Sequence, residues 1–397
     1  MENKLHNATL FIIMNTYQIP IKNKKTILAL GAESAGNFSV YENRNISHSQ
    51  DFNNLIIDTN FNQYKKELNK FLAENKIKPD IILVDLHPLY RTTALGEELS
   101  KKYKAKQIKI QHHLAHIFSS VGEKIIQNSK FKIQNSIGIA LDGTGYGLDG
   151  KIWGGEIFQL SINNYQLTTN RIGHLDNQIM ISGDLAVKEP ARMLLAILNK
   201  FLGKKEVFKY INKYYTKNEF EVLYNQLQNN FNCQETSSTG RILDAVSILL
   251  GFCTNKRSYK HEPIDLLEQN STFPYKNIKP KIIKTYSQES GIIIYELSTT
   301  FLFAYLIKYL QKNINLSAEK AGRLAATAQY YITKGLYEII KMQNAKCKMQ
   351  IFLSGGISNN KIISSYLEQK GAFANKKIPR GDAGLSFGQI IHQLFAS

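Results

Sequence analysis

Continuous runs of apolar residues, each about as long as a strand, recur along the chain and end in turns of small or acidic residues. Three of them are Thr26–Gly31, Asp80–Asp85 and Ile137–Leu141, and runs of this length between turn residues are typical of buried strands. A helical stretch, Asn62–Asn75, separates the first two. Alternating strands and helices predict an α/β fold with a largely parallel sheet.

The strand pattern starts twice. Ala29–Gly36 and Ala140–Gly147 both place a strand before a turn of small residues, and a second strand-like run follows each of them. Met349–Gly356 is a third strand that ends in glycines. Glycines at strand ends let backbone N–H groups approach phosphate oxygens. Two such hairpins facing one another across a cleft are typical of a duplicated actin-like fold that clamps a nucleotide, although glycine turns also follow strands in other folds.

From this pattern we predict three parts. Residues 1–25 are polar and basic and indicate a linker-like N-terminal extension. Residues 26–135 form the first actin-like lobe, and residues 136–397 form the second. The C-terminal helix is expected to pack back on the first lobe.

Composition supports two lobes, because 397 residues that are 43% apolar exceed one ordinary core. The longest early apolar run, Leu10–Met14, is shorter than a signal-peptide core or the ~20 residues of a membrane-spanning helix. We therefore expect a soluble, cytoplasmic protein with no membrane segment. Cys233, Cys253 and Cys347 show no CxxC spacing, which argues against a disulfide framework and a cysteine-based zinc ribbon.

The formal net charge of +18 favours association with polyanions, so nucleic acid has to be considered as a partner. The lysines are scattered among Asn and Ile, however, and no nucleic-acid motif or stripe of interleaved aromatic residues is present. We interpret the charge as a generally basic, solvated surface and do not expect a nucleic-acid partner.

Three of the nine histidines fall within five residues, immediately before the glycine hairpin. If this segment is helical, His112 and His116 lie four residues apart on one face of the helix. This spacing allows both imidazoles to bind one metal ion, whereas His113 would point in another direction. The alternative is a pair of core or helix-surface histidines. Asp142 at a strand end and Asp382 in a turn are either metal ligands or turn-forming residues. Together the four side chains offer two nitrogen and two oxygen ligands suited to Fe(II), Zn or Mn, with positions left open for a substrate.

The segment Ser354–Asn360 leads into a predicted helix. A phosphate or ribose bound there would accept hydrogen bonds from backbone N–H groups at the positive end of the helix dipole. The GxxxxGK[ST] P-loop is absent from the sequence. No cysteine stands in a catalytic context. Any acyl acceptor is therefore expected to belong to a partner.

Seven motifs then occur in collinear order. They are His112–His116 (HHLAH), Leu141–Gly147 (LDGTGYG), Trp153–Glu156 (WGGE), Lys188–Arg192 (KEPAR), Ser238–Val246 (STGRILDAV), Leu353–Gly356 (LSGG) and Asp382–Gln389 (DAGLSFGQ). From Thr26 onward the chain resembles the C-terminal carbamoyltransferase domain of the HypF hydrogenase-maturation family, which is similar to the tRNA threonylcarbamoyltransferase. The resemblance implies an α/β, duplicated actin-like and RNase H-like fold of the ASKHA superfamily, with a nucleotide and metal cleft between the lobes.

The resemblance also implies an activity and its residues. A carbamoyl group would pass from carbamoyladenylate, an ATP-derived donor, to the C-terminal cysteine of a HypE-type acceptor protein in NiFe hydrogenase maturation. The family's metal ligands, for a divalent Fe or Zn ion, fall on His112, His116, Asp142 and Asp382. Its nucleotide-contacting segments fall on Gly143, Thr144, Gly145, Asp244, Gly355, Gly356 and Asn360. We expect catalysis to involve Asp142, His112, His116 and Lys188.

The Lys188–Arg192 motif has two readings. Lys188, Glu189 and Arg192 either support the metal ligands or contact an anion. Alternatively, they are helix-surface charges beside a proline at a helix start.

Two departures from the family pattern shape the prediction. HypF normally carries an acylphosphatase-like segment, paired cysteine zinc fingers and a donor-activating domain upstream, and 25 residues cannot hold them. We therefore expect a stand-alone, truncated form that receives carbamoyladenylate from a separate donor-activating protein. In addition, Lys260 and His261 stand where the family usually has a small residue, so local substrate contacts should differ.

Three alternatives remain open at this point. A threonylcarbamoyltransferase-like enzyme acting on tRNA is supported by the charge of +18 and by the shared fold, whereas the Asp142–Gly147 hairpin with Trp153–Glu156 favours the protein-modifying enzyme. A small-molecule O-carbamoyltransferase, a type of enzyme related to the HypF domain, is the second alternative. A non-catalytic nucleotide-binding scaffold is the non-enzyme reading.

Overall fold

The computed structural model of the protein describes residues 13–163, 166–286, 291–313, 315–343 and 349–396. The first part of the chain forms a six-stranded sheet with three helices. The strands are β1 (Met14–Gln18), β2 (Ile27–Ala29), β3 (Ser39–Glu42), β4 (Asn45–Ser49), β5 (Ile81–Asp85) and β6 (Lys106–Ile110). The helices are α1 (Asp58–Glu74), α2 (Arg91–Tyr103) and α3 (His112–Gln127).

The rest of the chain forms a second, nine-stranded sheet with ten further helices among the described residues. The strands are β7 (Ser136–Tyr146), β8 (Ile152–Asn163), β9 (Gln166–Leu175), β10 (Gln178–Ile181), β11 (Cys233–Thr236), β12 (Ile282–Tyr286), β13 (Ile293–Leu297), β14 (Gln350–Ser354) and β15 (Ala372–Ala374). The helices are α4 (Leu185–Lys188), α5 (Ala191–Leu198), α6 (Lys204–Ile211), α7 (Lys217–Gln228), α8 (Thr239–Leu249), α9 (Glu262–Gln269), α10 (Thr299–Lys312), α11 (Ala318–Gln343), α12 (Lys361–Gln369) and α13 (Leu385–Ala396).

The two sheets repeat one topology. The first contains the order β4-β3-β2-β5-β6, and the second contains β9-β8-β7-β14-β15. In each sheet, the first three strands of the repeat pair antiparallel in chain order. The fourth strand pairs parallel with the other edge of the first strand, and the fifth pairs parallel with the fourth. This internal duplication confirms the predicted two-lobed α/β fold. The buried runs predicted as strands are β2, β5, β7 and β14.

The interior between the sheets is formed by α3 and α13. Helix α13 contacts α3 along its length and also contacts β2, β3, β4 and β5 of the first sheet. The close approach requires small residues, because a Cβ on Gly388 would overlap the carbonyl of Ala115, and one on Gly122 would lie 2.5 Å from the ring of Phe387. Helix α3 is consequently buried, and it carries the histidine motif into the region where the two sheets meet.

The N-terminal extension differs in part from its prediction as a linker. Its last part forms β1, an edge strand that pairs antiparallel with β4 from Met14 to Gln18. Tyr17 packs edge-on against the ring of Phe387 in α13. The strand sequence is largely polar because most of its side chains are exposed or half-buried, so composition did not distinguish it from a linker. Residues 1–12 lie outside the described part of the chain.

Among the residues that the structure describes, none of the helices has both the length and the apolar character needed to span a bilayer.

Candidate metal and nucleotide site

Four side chains from three segments meet where α3 faces the second sheet. His112 and His116 lie one turn apart at the start of α3, whose first turn is capped by the side chain of Gln111, which accepts a hydrogen bond from the backbone N–H of Leu114 (2.9 Å). Asp142 lies in β7, where the pairing with β8 loses its regular register. Asp382 begins a short 3₁₀ turn before α13. One potential ligand atom from each of the four lies within 4.8 Å of all the others.

The distances within this group suit a shared cation. Nε2 of His112 lies 3.3 Å from Oδ2 of Asp142 and 3.7 Å from Oδ1 of Asp382. Nε2 of His116 lies 3.6 Å and 3.5 Å from the same two oxygens. Ligands of a tetrahedral ion bound at about 2.0–2.2 Å are about 3.4 Å apart. The four nitrogen–oxygen distances are therefore close to those expected between ligands of one ion.

Hydrogen bonding in the group is incomplete, as expected for ligand atoms. Both imidazoles are buried, and among the described residues neither Nε2 atom has a hydrogen-bond partner. Buried polar atoms without partners are rare and costly in folded proteins. Two unpartnered nitrogens that face two carboxylates are accounted for if a cation occupies the space between them.

The electrostatics of the group keep the carboxylates ionised. Burial alone would raise the pKa of Asp142, but His112 and His116 hold that pKa well below its usual value. Burial would likewise raise the pKa of Asp382, but the nearby His116 lowers that pKa overall. Both carboxylates are thus charged oxygen donors at neutral pH, which is the form that a metal ion requires.

Asp85, at the end of β5, is a member of this site that the sequence analysis missed. Its Oδ2 lies 2.7 Å from Nδ1 of His112, and its Oδ1 accepts the backbone N–H of His87 (2.9 Å). A carboxylate on the far nitrogen of a ligand histidine fixes the tautomer and the ring orientation. The available signal was its place at the carboxyl end of a buried parallel strand, which is where such folds present functional groups.

His113 points away from the group, as its helical position indicates. Its Nδ1 lies 3.0 Å from the side-chain nitrogen of Gln111, and its ring lies beside Trp153. Burial and the nearby His112 lower the pKa of His113 to about 3. His113 is therefore a neutral side chain of the interior that supports the start of α3.

A cavity of about 570 Å³ opens beside the four-residue group, and Asp142 and Asp382 form part of its wall. Four of the predicted nucleotide-contacting residues line it, namely Gly143, Thr144, Gly356 and Asn360. Lys260 and His261, the residues that depart from the family pattern, line it as well. The candidate metal group and the candidate nucleotide segments therefore share one cavity.

Two of the glycines predicted to contact the nucleotide, Gly145 and Gly355, do not line this cavity. Gly145 lies against the histidines, where a Cβ would be 2.5 Å from Cε1 of His113 and 2.7 Å from Cδ2 of His112. Gly355 has a φ of +94° and passes so close to Leu141 that a Cβ would overlap the carbonyl of that residue. Both glycines therefore affect the shape of the site indirectly, because they allow neighbouring residues to pack closely behind the cavity wall.

Asp244 also lies behind the cavity. It is fully buried, and its Oδ2 lies 2.8 Å from Nε of Arg241 and 2.8 Å from Nη2 of Arg257. Both arginines line the cavity, and neither was predicted as a site residue. Arg241 lies one helical turn before Asp244 in the same motif, which was the signal for it, whereas Arg257 lies in a loop after α8. Asp244 thus holds two guanidinium groups at the cavity wall.

The structure does not bring Lys188 to the metal group. Lys188 lines a second cavity of about 1160 Å³, together with Glu189 and Arg192. There, the carboxylate of Glu189 accepts hydrogen bonds from Nε of Arg192 (2.7 Å) and from the hydroxyl of Tyr215 (2.8 Å). Only the preceding residue, Val187, lines the cavity beside the metal group.

Family models match most of the chain. A model described as "Carbamoyltransferase, Kae1-like Domain, second subdomain" matches residues 138–389, and one described as "HypF Kae1-like domain" matches residues 22–123. The "Probable carbamoyltransferase HypF" of Methanocaldococcus jannaschii is 37% identical over 384 residues, which are 94% of this chain and 47% of that protein. The "Carbamoyltransferase HypF homolog" of Cupriavidus necator is 27% identical over 77% of this chain and 75% of its own length.

Solved structures agree with these matches. The HypF of T. kodakarensis superposes with a TM-score of 0.80 at 29% identity, over 96% of this chain and 48% of that chain. A full-length HypF in a phosphate- and nucleotide-bound form has the same fold, with a TM-score of 0.80 at 22% identity over 96% of this chain and 47% of that one. The chain spans about half the length of these two proteins and of the M. jannaschii relative. Because one family model covers more than half of its residues, and a 37% identical relative covers nearly all of it, the chain belongs to the HypF carbamoyltransferase family.

Proposed function

We propose that this protein transfers a carbamoyl group from carbamoyladenylate to the C-terminal cysteine of a HypE-type acceptor protein during NiFe hydrogenase maturation. The proposal rests mainly on the cavity, whose wall contains Asp142 and Asp382 of the candidate metal group together with Arg241 and Arg257. Membership of the carbamoyltransferase family supports the reaction class.

In the proposed site, His112, His116, Asp142 and Asp382 hold one divalent ion. Two imidazole nitrogens and two carboxylate oxygens suit Fe or Zn and do not choose between them. A cation bound there would polarise the carbamoyl carbonyl and stabilise the charge that develops on its oxygen.

The nucleotide part of the donor would lie along the rest of the cavity wall. Arg241 and Arg257 are suited to the phosphate of the adenylate, because guanidinium groups form paired, charge-assisted hydrogen bonds to phosphate oxygens. Asp244 would keep both groups in place from behind. The backbone at Gly143 and Gly356 approaches the cavity without a Cβ in the way, which suits close contact with a nucleotide.

The acceptor sulfur is proposed to come from the partner. Among the described cavity-lining residues there is no cysteine, and Cys253 lines the second cavity instead. In the transfer, the partner's thiolate sulfur would bond to the carbamoyl carbon. The bond from that carbon to the phosphate oxygen would break, and AMP would leave with the electron pair. The thiol proton would pass to solvent.

The proposal is tested by mixing the purified protein and its metal with a HypE-type acceptor and carbamoyladenylate, and then measuring the intact mass of the acceptor. We expect the acceptor to gain one carbamoyl group, and we expect no gain when its C-terminal cysteine is replaced by Ser. The variant His112→Ala serves as the control for catalysis by this protein. An acceptor that stays unmodified with a correctly metal-loaded protein would contradict the proposed function.

A further inference from the structure

The two oxygens of Asp382 have separate contacts. Oδ1 faces Nε2 of His112 and Nε2 of His116, at 3.7 Å and 3.5 Å. Oδ2 accepts a hydrogen bond from the hydroxyl of Ser34, in the loop after β2. One oxygen of the carboxylate is thus directed to the metal group, and the other is occupied by a residue of the first lobe.

Lys260 sets the direction of the serine hydroxyl. Its ammonium nitrogen lies 3.1 Å from Oγ of Ser34. An ammonium group can only donate, whereas a hydroxyl has one proton and two lone pairs. The lysine therefore occupies a lone pair of Ser34, and the single proton of the hydroxyl remains available for Asp382.

These contacts cross the cleft between the lobes. Ser34 follows β2 in the first lobe, Lys260 lies in the loop between α8 and α9 of the second, and Asp382 precedes α13. All three line the cavity beside the metal group. Lys260 is exposed, so its ammonium group is held at this point by the contact itself and not by packing.

We propose that Lys260 and Ser34 are positioning residues that keep Asp382 a single-oxygen ligand. The proposal rests on the metal site of the proposed function. A carboxylate that turned to bind through both oxygens would take a coordination position that a catalytic metal keeps open for substrate. With Oδ2 held by the hydroxyl of Ser34, which also contacts the ammonium group of Lys260, that position stays free.

The test is a titration of the metal-free protein with Co²⁺, followed by visible absorption, with affinity measured against a competing chelator. Loss of an outer partner of a metal ligand lowers affinity by roughly 10–100-fold. We expect a loss of this size in Ser34→Ala and in Lys260→Met. The absorption should also weaken, because a second carboxylate oxygen raises the coordination number and the spectrum reports the geometry.

Conservative and control variants complete the design. Ser34→Thr keeps the hydroxyl and should restore both the affinity and the spectrum. Lys256→Met removes a lysine of the same loop that lines the second cavity, and it should behave as the wild-type protein. Lys260 is an exposed side chain, so Lys260→Met tests the idea even if Ser34→Ala fails to fold.

The outcomes separate this inference from the proposed function. If His112→Ala abolishes Co²⁺ binding while Ser34→Ala and Lys260→Met match the wild-type affinity and spectrum, the positioning role is wrong and the metal site stands. If His112→Ala binds Co²⁺ as tightly as the wild-type protein, the metal site itself is wrong, and the positioning role is overturned with it.

Discussion

The carboxylate of Asp85 lies 2.7 Å from Nδ1 of His112, and both side chains are buried. This contact leaves Nε2 of His112 as the nitrogen that faces Asp142 and Asp382. Nδ1 of His116 has no such partner among the described residues. The two histidines are consequently oriented by different means, His112 by a buried carboxylate and His116 by its place in α3.

Replacing Asp85 by Asn should weaken metal binding. The substitution removes the charge that holds the His112 ring, and loss of such a partner costs roughly 10–100-fold in metal affinity. Asp80→Asn is a matched control, because Asp80 stands just before the same strand and its carboxylate accepts a hydrogen bond from the backbone N–H of Thr26 and not from a histidine. Equal Co²⁺ affinity in Asp85→Asn and the wild-type protein would show that Asp85 does not orient the ligand.

Replacing Gly145 by Ala should displace the ligand histidine while leaving the fold in place. The added Cβ would lie 2.7 Å from Cδ2 of His112, which is too close for carbon atoms, so the ring must move. Gly203→Ala is the control, because a Cβ there meets nothing within 4 Å. We expect Gly145→Ala to lose at least tenfold in metal affinity, and unchanged affinity would mean that the ring shifts without losing the ion.

Replacing Asp244 by Asn should weaken nucleotide binding without removing the metal. The carboxylate holds Arg241 and Arg257 at the cavity wall, and a hydrogen bond to a charged group contributes about 1.5–3 kcal/mol. We expect the affinity for AMP, measured by calorimetry, to fall by roughly 10–100-fold, in line with that energy. Arg192→Ala, in the second cavity, should leave AMP affinity unchanged. A normal AMP affinity in Asp244→Asn would remove the arginines from the phosphate site.

We expect the free energy of unfolding to depend on pH because of the buried carboxylate of Glu156. It is buried, accepts the backbone N–H groups of Gly154 and Gly155, and pairs with Nε of Arg171 at 2.6 Å. Burial alone would raise its pKa from the usual 4.5, but Arg171, with smaller contributions from His174 and His113, lowers the pKa to about 2. Because the pKa is depressed in the folded state, the ionised carboxylate stabilises the fold above pH 4.5, and this stability is lost as the pH falls toward about 2.

The measurement is the free energy of unfolding of the wild-type protein and of Glu156→Gln at a series of pH values. We expect the advantage of the wild-type protein to be largest above pH 4.5 and to shrink as the pH falls toward about 2. An advantage that stays constant across this range would mean that the charge of Glu156 contributes nothing to folding.

Much of the fold was predictable because its central strands are continuous apolar runs. β2 and β5 are buried throughout and β7 and β14 over most of their length, so each stands out from its polar surroundings in the sequence. The edge strand β1 does not, because most of its side chains face solvent or are only half-buried. A polar edge strand and a polar linker have similar composition. The pairing of β1 with β4 is a long-range contact, which composition alone does not predict.

Residues of the candidate site could be predicted where the spacing along a helix or a family motif identified them. His112 and His116 follow from the helical period, and the family motifs add Asp142 and Asp382. Lys188 shows the limit of motif reasoning, because Val187 lines the cavity of the metal group while the next residue faces the second cavity. Neighbouring residues of a helix point in different directions, so a motif places a segment near a site without placing each of its side chains there.

Partners that come from distant segments escaped the sequence analysis. Asp85 and Arg257 each reach the site from another part of the chain, and nothing in their immediate sequence marks them as part of it. Their roles depend on the ends of parallel strands and on a loop that meets α8, both of which exist only in the folded protein.

The central claim is that His112, His116, Asp142 and Asp382 share one cation beside the nucleotide cavity. The most direct test is an anomalous-scattering map from crystals of the metal-loaded protein, collected at the absorption edge of the bound metal. The account predicts one strong peak at about 2.0–2.2 Å from a donor atom of each of the four side chains. A map with no peak there, or with the metal held by other residues while these four remain uncoordinated, would contradict it.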